Sequence, residues 1–400
     1  MVWASTGCVY YRSPVTVSNP DDSANQHFIG IVRELQAAPV VNVLIIHGMG
    51  THDNTYADEF VRRLGSVAGL DLQSGPALVD KLVSPYGAYS TVHRTTFRSR
   101  DGHELRVFVL TWSKLTEAFE DALLSYDWQQ YSRGRVLVNR RLKKDLIDTA
   151  FDDAVVYSGT FAPALRSTVR RAVCVVLSNK QRPDLPCTAG DVIGANGESL
   201  IAQPPIFAVT HSLGSAMLID TLGEMLGECV PSADKCPQRQ EDLRTAGLSE
   251  EFTKQLRGVF LLANQLPLIY LSRIPLNPTT SVTEESATSS TTHSETIDSS
   301  DFSAATAFAA TITGIAKILG ERRKPIPIIA FNDVNDLLTF PVPAGWRDRI
   351  TPGAGTKLQV VNISVTNAPA KWLAVAANPS RAHTTYWTNS DVIRFIANGN

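Results

Sequence analysis

The stretch Val40-Val41-Asn42-Val43-Leu44-Ile45-Ile46 constrains the fold more than any other. Successive side chains of an extended chain point to opposite faces, so a strand with one wet face alternates apolar and polar residues. This run is apolar and mostly β-branched at nearly every position. It reads as a strand buried on both faces, the kind found inside a parallel sheet with helices above and below. Further strands are predicted at 105–111, 205–209, 259–262, 327–331 and 358–365. Helical patterns lie among them at 55–64, 115–124, 139–156, 164–177, 216–222 and 391–397. The first of these carries Tyr56, Phe60 and Leu64 at four-residue spacing on one face. The last is expected to be capped by Ser390 and stopped near Gly399. The alternation predicts an α/β fold: a mainly parallel central sheet flanked by helices on both faces. Length (400 residues) and a 44% hydrophobic composition support one large domain over 36–400, preceded by a segment 1–35. The helices between the first strands and residue 205 are additional layers on the sheet or a cap over one edge.

Two of the predicted strands end in segments able to carry chemistry. Strand 205–209 runs into Thr210-His211-Ser212-Leu213-Gly214-Ser215 and then a helix. Strand, tight turn with a serine at its tip, then helix is the context of a nucleophile elbow, in which the hydroxyl stands clear of the backbone. The plainer reading is a helix N-cap serine. Strand 40–46 ends in His47-Gly48-Met49-Gly50, whose glycines let backbone N–H groups face a cavity. Such a loop can supply a donor, the Met49 N–H, to a tetrahedral oxyanion, with the Leu213 N–H behind Ser212 as the second. A metal set of His47, His52 and Asp53 is the competing reading, but its spacing fits no common pattern.

Loops that follow the C-terminal ends of parallel strands gather at one edge of the sheet. Met49, Ser212, an aspartate after Phe331 and His383 beyond Val365 all follow strands. At this point the chain resembles the α/β-hydrolase family, in particular its serine esterases and lipases. The resemblance rests on His47-Gly48-Met49-Gly50, on Thr210 to Gly214, and on the order serine, aspartate, histidine. It spans about residues 40–390, with Thr210 standing where the pattern G-x-S-x-G has glycine. The larger threonine is expected to hold strand and helix slightly further apart. The resemblance implies a mainly parallel eight-stranded sheet and a Ser-His-acid triad that needs no cofactor and no metal. Ser212 would be the nucleophile and His383 the base, since only His383 follows the acid. Asp336, followed by two leucines, is favoured as the acid, with Asp333 as the alternative. His211 is expected to point away from the base. The substrate implied is a carboxylic ester. A lipase or phospholipase at a membrane surface and an inactive hydrolase fold used for binding are the other readings.

Lys plus Arg is 37 against 39 Asp plus Glu, for a net charge of -2, which lacks the basic footprint of a nucleic-acid binder. Ser5-Thr6-Gly7-Cys8 resembles the end of a lipoprotein signal, so Cys8 is a candidate lipid attachment point in an exported chain. Cys174 reads either as a buried thiol or as a disulfide partner, and Cys229 with Cys236 is the easier pair to close. Residues 279–300 are a low-complexity Ser/Thr/Glu stretch expected to be a mobile loop. Residues 302–319 are read as a core helix, with a lid or a membrane span as alternatives.

Overall fold

A computed structural model describes residues 13–19, 26–83, 88–131, 136, 143, 152–178, 185–227, 240–270, 326–342, 358–368 and 378–400. They form an α/β protein built on a nine-stranded, mostly parallel sheet. The strands are β1 (Thr16–Ser18), β2 (Val40–Ile46), β3 (Asp71–Val83), β4 (Tyr89–Arg98), β5 (Glu104–Thr111), β6 (Ile206–His211), β7 (Leu256–Leu262), β8 (Ile326–Asn332) and β9 (Leu358–Ser364). Their order is β1-β9-β8-β7-β6-β2-β5-β4-β3. From β9 across to β5 every pairing is parallel, while β1 at one edge and the β3–β4 pair at the other are antiparallel. The sheet thus has nine strands, not the eight that the family resemblance implied. Sequence periodicity did not reveal the antiparallel β3–β4 hairpin at one edge. The first eight residues of β3 are exposed, so no apolar alternation marks them.

Ten α-helices lie among the described residues: α1 (Ile31–Ala37), α2 (Asp58–Val67), α3 (Glu117–Tyr131), α4 (Asp152–Ser158), α5 (Ala162–Ser178), α6 (Leu213–Gly227), α7 (Gln240–Gln255), α8 (Leu266–Tyr270), α9 (Pro379–Thr384) and α10 (Ser390–Asn398). The alternation of β2 divides them between two cores. Leu44 and Ile46 face a cluster containing Leu165, Val169 and Val173 of α5 and Ala216 and Met217 of α6. Val41, Val43 and Ile45 face a second cluster with Phe60 and Leu64 of α2 and Ile393 and Ile396 of α10. Asn42 is the polar residue of the run, and its amide donates to Val176 O at the end of α5 (2.9 Å), which satisfies a buried group that would otherwise be costly. The cap of α10 is Asn389, not Ser390: its side chain accepts from the N–H groups of Asp391 and Val392. Gly399 ends that helix at φ 80°.

Cys174 of α5 forms a disulfide with Cys187. Cys8, the Cys229–Cys236 pair, the low-complexity stretch 279–300 and the segment 302–319 lie outside the described residues, as does most of 139–151. Among the described residues no helix is long and apolar enough to cross a membrane.

The topology singles out one place on the sheet. After β2 the chain moves to one side and fills β3, β4 and β5; after β6 it moves to the other and fills β7, β8 and β9. The helices that follow β2 and β6 also pack on opposite faces, α2 in one core and α6 in the other. The two loops therefore leave the sheet in opposite directions and open a crevice between neighbouring strands. Ligands of open α/β sheets bind at such switch points. The loops in question are His47-Gly48-Met49-Gly50 and the Ser212 turn.

Candidate active site

Ser212 sits between the last residue of β6 and the first of α6, with φ 52°. A non-glycine residue in the left-handed region costs energy and persists where the surroundings impose it. Here its N–H donates to Leu262 O on β7 (2.8 Å), and its carbonyl accepts from Ser215 N–H (3.1 Å). Gly214 is required by the close passage of α6: a Cβ there would lie 2.5 Å from His47 O and 2.8 Å from Ile46 O. Thr210 is accommodated differently from what its size alone suggested. Its buried hydroxyl reaches Ser215 Oγ at 2.9 Å and so ties the strand to the helix. Among the described residues, the buried Ser212 Oγ has no hydrogen-bond partner.

The loop after β2 is held by its own first residue. Trp112 N–H donates to His47 Nε2 (3.0 Å), so Nδ1 carries the ring proton and donates to Gly48 O (2.7 Å). The indole of Trp112 stacks on the imidazole at 4.6 Å and donates from Nε1 to His47 O. Burial, then the nearby His52, holds the His47 pKa well below the usual histidine value, so the ring is neutral. With both nitrogens bonded to backbone, His47 shapes the loop rather than binding a metal with His52 and Asp53. Gly50 N–H is turned away to Asp153 Oδ2 (2.8 Å), and the Thr51 hydroxyl donates to Glu120 (2.7 Å). Burial raises the Asp153 carboxyl to about 7, and the neighbouring charges of Glu120 and Asp152 push the same way against the bond from Gly50.

The two candidate acids occupy different environments. Asp336 has both oxygens 3.0 Å from His383 Nδ1, and its side chain is fully buried while that of His383 is 14% exposed. Asp333 faces backbone instead: its carboxylate accepts from the N–H groups of Asn335 (2.8 Å), Asn367 (2.5 Å) and Ala368 (3.1 Å). Tyr386 links the two loops. Its hydroxyl accepts from Asp333 N–H (2.7 Å) and donates to Asp336 Oδ2 (3.2 Å). Burial and the Asp336 charge raise the Tyr386 pKa well above that of a free phenol, so it remains a donor.

His383 lies on the short helix α9, not in a loop, and that helix is capped by Asn378. His211 also departs from expectation. Its ring packs 5.0 Å from that of His383, and its Nε2–H donates to His383 O (2.9 Å). Burial and His383 lower its pKa well below the usual value. The residue before Ser212 thus braces the backbone of His383. Trp387 closes the arrangement from behind, edge-on to Tyr56 and Phe60 and 5.6 Å from His211.

The structure therefore joins Asp336 to His383, sets His383 against the residue preceding Ser212, and brings Gly48 to the Ser212 turn. It does not form a hydrogen bond between Ser212 and His383. Sequence reading did not anticipate the contacts of Tyr386, which donates to Asp336, or of Asp153, which accepts from Gly50 N–H; neither residue stands in a motif. Comparison with protein-family models, with curated proteins and with solved structures found no match.

Proposed function

We propose that the protein is a serine hydrolase of carboxylic esters, of the α/β-hydrolase type. The observation that carries this reading is the Asp336–His383 pair at the switch point beside a strained serine turn. With Nδ1–H committed to Asp336, the imidazole presents Nε2 to take the Ser212 proton as Oγ attacks an ester carbonyl. Asp336 keeps the ring in the correct tautomer and stabilises the imidazolium that forms. The N–H of Leu213, at the start of α6, and that of Met49 receive the oxyanion; helix starts leave such N–H groups without intrahelical partners. The imidazolium returns its proton to the leaving alkoxide, and water releases the acid from the acyl-enzyme by the same relay.

The buried, unbonded Ser212 Oγ favours a second reading, an inactive hydrolase fold that binds a ligand. A fluorophosphonate separates the two. Covalent labelling of Ser212, absent in Ser212→Ala, supports the enzyme; an unlabelled wild type that also hydrolyses no p-nitrophenyl ester defeats it.

A further inference from the structure

Three consecutive residues of the loop after β2 are gripped from outside it. Gly50 N–H donates to Asp153 Oδ2 of α4 (2.8 Å), and the Thr51 hydroxyl donates to Glu120 Oε2 of α3 (2.7 Å). His52 is held at both of its backbone groups by Ser113, two residues past β5. Its N–H donates to Ser113 Oγ (3.0 Å), which donates in turn to His52 O (2.8 Å). The His52 ring then reaches back from Nε2 to Met49 O (3.3 Å). Gly50 has φ 91°, a conformation that glycine adopts readily and other residues rarely. Among the described residues, no hydrogen bond engages the Met49 N–H.

The two acids are costly where they stand. Asp153 is 0% exposed and Glu120 2%. Burial first, and neighbouring carboxylates after it, disfavour the ionised form of both. Apolar residues of similar volume can replace buried charged groups at no loss of stability. A carboxyl in such a place is accounted for by the hydrogen bonds it makes, and a bond from each of these two goes to the loop. Asp153 acts next to the candidate oxyanion donor. Of the adjacent Met49 and Gly50 N–H groups, it takes the second out of play.

We infer that Asp153 and Glu120 are positioning residues for the oxyanion: by holding Gly50 N–H and the Thr51 side chain against α4 and α3, they fix the loop with the Met49 N–H left to receive the developing charge. This rests on the serine-hydrolase reading above. Neither acid touches the substrate; both act through the loop. An oxyanion hole is effective because its donors are fixed before the reaction and need no reorganisation during it. The helices between β5 and β6 thereby acquire a part in the chemistry, as the support of the loop that follows β2.

The test uses the full chain and three readouts: kcat/KM for p-nitrophenyl butyrate, the inhibition constant of a trifluoromethyl alkyl ketone, and that of the corresponding secondary alcohol. Ser212 Oγ adds to the ketone carbon, the serine proton passes to His383, and the carbonyl oxygen becomes an oxyanion. The alcohol binds without forming one. Protein is counted as sites labelled to completion by fluorophosphonate, so unfolded molecules do not enter. Asp153→Leu, close in volume and without an acceptor, is expected to lower kcat/KM about 10²-fold and to weaken the ketone by a similar factor. The alcohol is expected to bind as to the wild type. Asp153→Asn, whose carboxamide oxygen still accepts from Gly50 N–H, is expected to recover most of both losses. Thr51→Val, at an exposed position, releases the loop from Glu120 and is expected to shift kcat/KM and the ketone about tenfold the same way. It carries the test if Asp153→Leu does not melt cooperatively. Ketone binding at the wild-type level in every variant that folds overturns the inference. So does a loss that Asp153→Asn shares in full, or one that weakens ketone and alcohol alike. An effect in Asp153→Leu without one in Thr51→Val rejects the part assigned to Glu120. A wild type that is not labelled, and that binds the ketone no tighter than the alcohol, rejects the hydrolase reading and this inference with it.

Discussion

Gly48 lies so close to Ser212 that a Cβ on the glycine would sit 2.5 Å from the serine Cβ. The same added atom would meet His211 Nδ1 and His211 O, each at 2.8 Å. The loop that follows β2 and the turn that follows β6 are thus in contact at Gly48, as the start of α6 and the end of β2 are at Gly214.

Gly48→Ala should therefore push the loop away from Ser212, since two of the three obstructing atoms belong to a buried backbone or a Cβ. Overpacking of this kind costs about 1–3 kcal/mol. A displacement of an ångström at a reacting centre costs about 10²-fold in rate. The expected outcome is a folded variant with a lowered melting point, slow fluorophosphonate labelling and little esterase activity. Labelling at the wild-type rate would show that the loop takes no part in the reaction.

Asp333→Asn and Asp336→Asn should fail in different ways. The Asp333 carboxylate receives three backbone N–H groups through both oxygens. A carboxamide has one acceptor oxygen and would turn an NH2 toward donors. Asp333→Asn is expected to lose stability, about 1–3 kcal/mol for a broken charged bond, while the molecules still folded keep their turnover. Asp336→Asn is expected to melt near the wild type and to lose roughly 10³ to 10⁴ in kcat, because His383 loses its orienting charge. Thermal melts beside esterase assays distinguish the two. The opposite pattern would exchange the roles.

Stability should fall as pH rises toward neutrality because of Asp153. Its carboxyl titrates at about 7 in the folded protein, against about 4 in an unfolded chain. Between those values the folded state holds a proton that the unfolded state has released, so the slope of unfolding free energy with pH is negative. The contribution is fully present below the lower value and lost as pH passes the upper one. Glu120, also raised by burial, acts in the same direction. Urea denaturation at about pH 4.5 and about pH 8 should show the decline, amounting to a few kcal/mol for a shift of this size. Asp153→Asn, whose side-chain oxygen still accepts from Gly50 N–H, should flatten most of it. An unchanged slope in the variant would assign the decline to other groups.

What the sequence determined by itself was local and periodic. The near-continuous apolar runs within β2 and β6 declared strands buried on two faces, and the Ser212 turn between strand and helix was legible because it occupies a handful of consecutive residues. The antiparallel hairpin was not legible, since much of β3 is exposed and carries no alternation. Tertiary structure alone decided the long-range pairings. Asp333 and Asp336 stand three residues apart with the same side chain, yet one meets His383, 47 positions away, and the other meets the backbone of Asn367 and Ala368. The direction of His211, the use of the Thr210 hydroxyl and the cap of α10 by Asn389 were decided in the same way. Each depends on which backbone group another element brings within about 3 Å, the reach of a hydrogen bond. Periodicity along the chain reports which face of an element is buried, and carries no information about which partner will cover it.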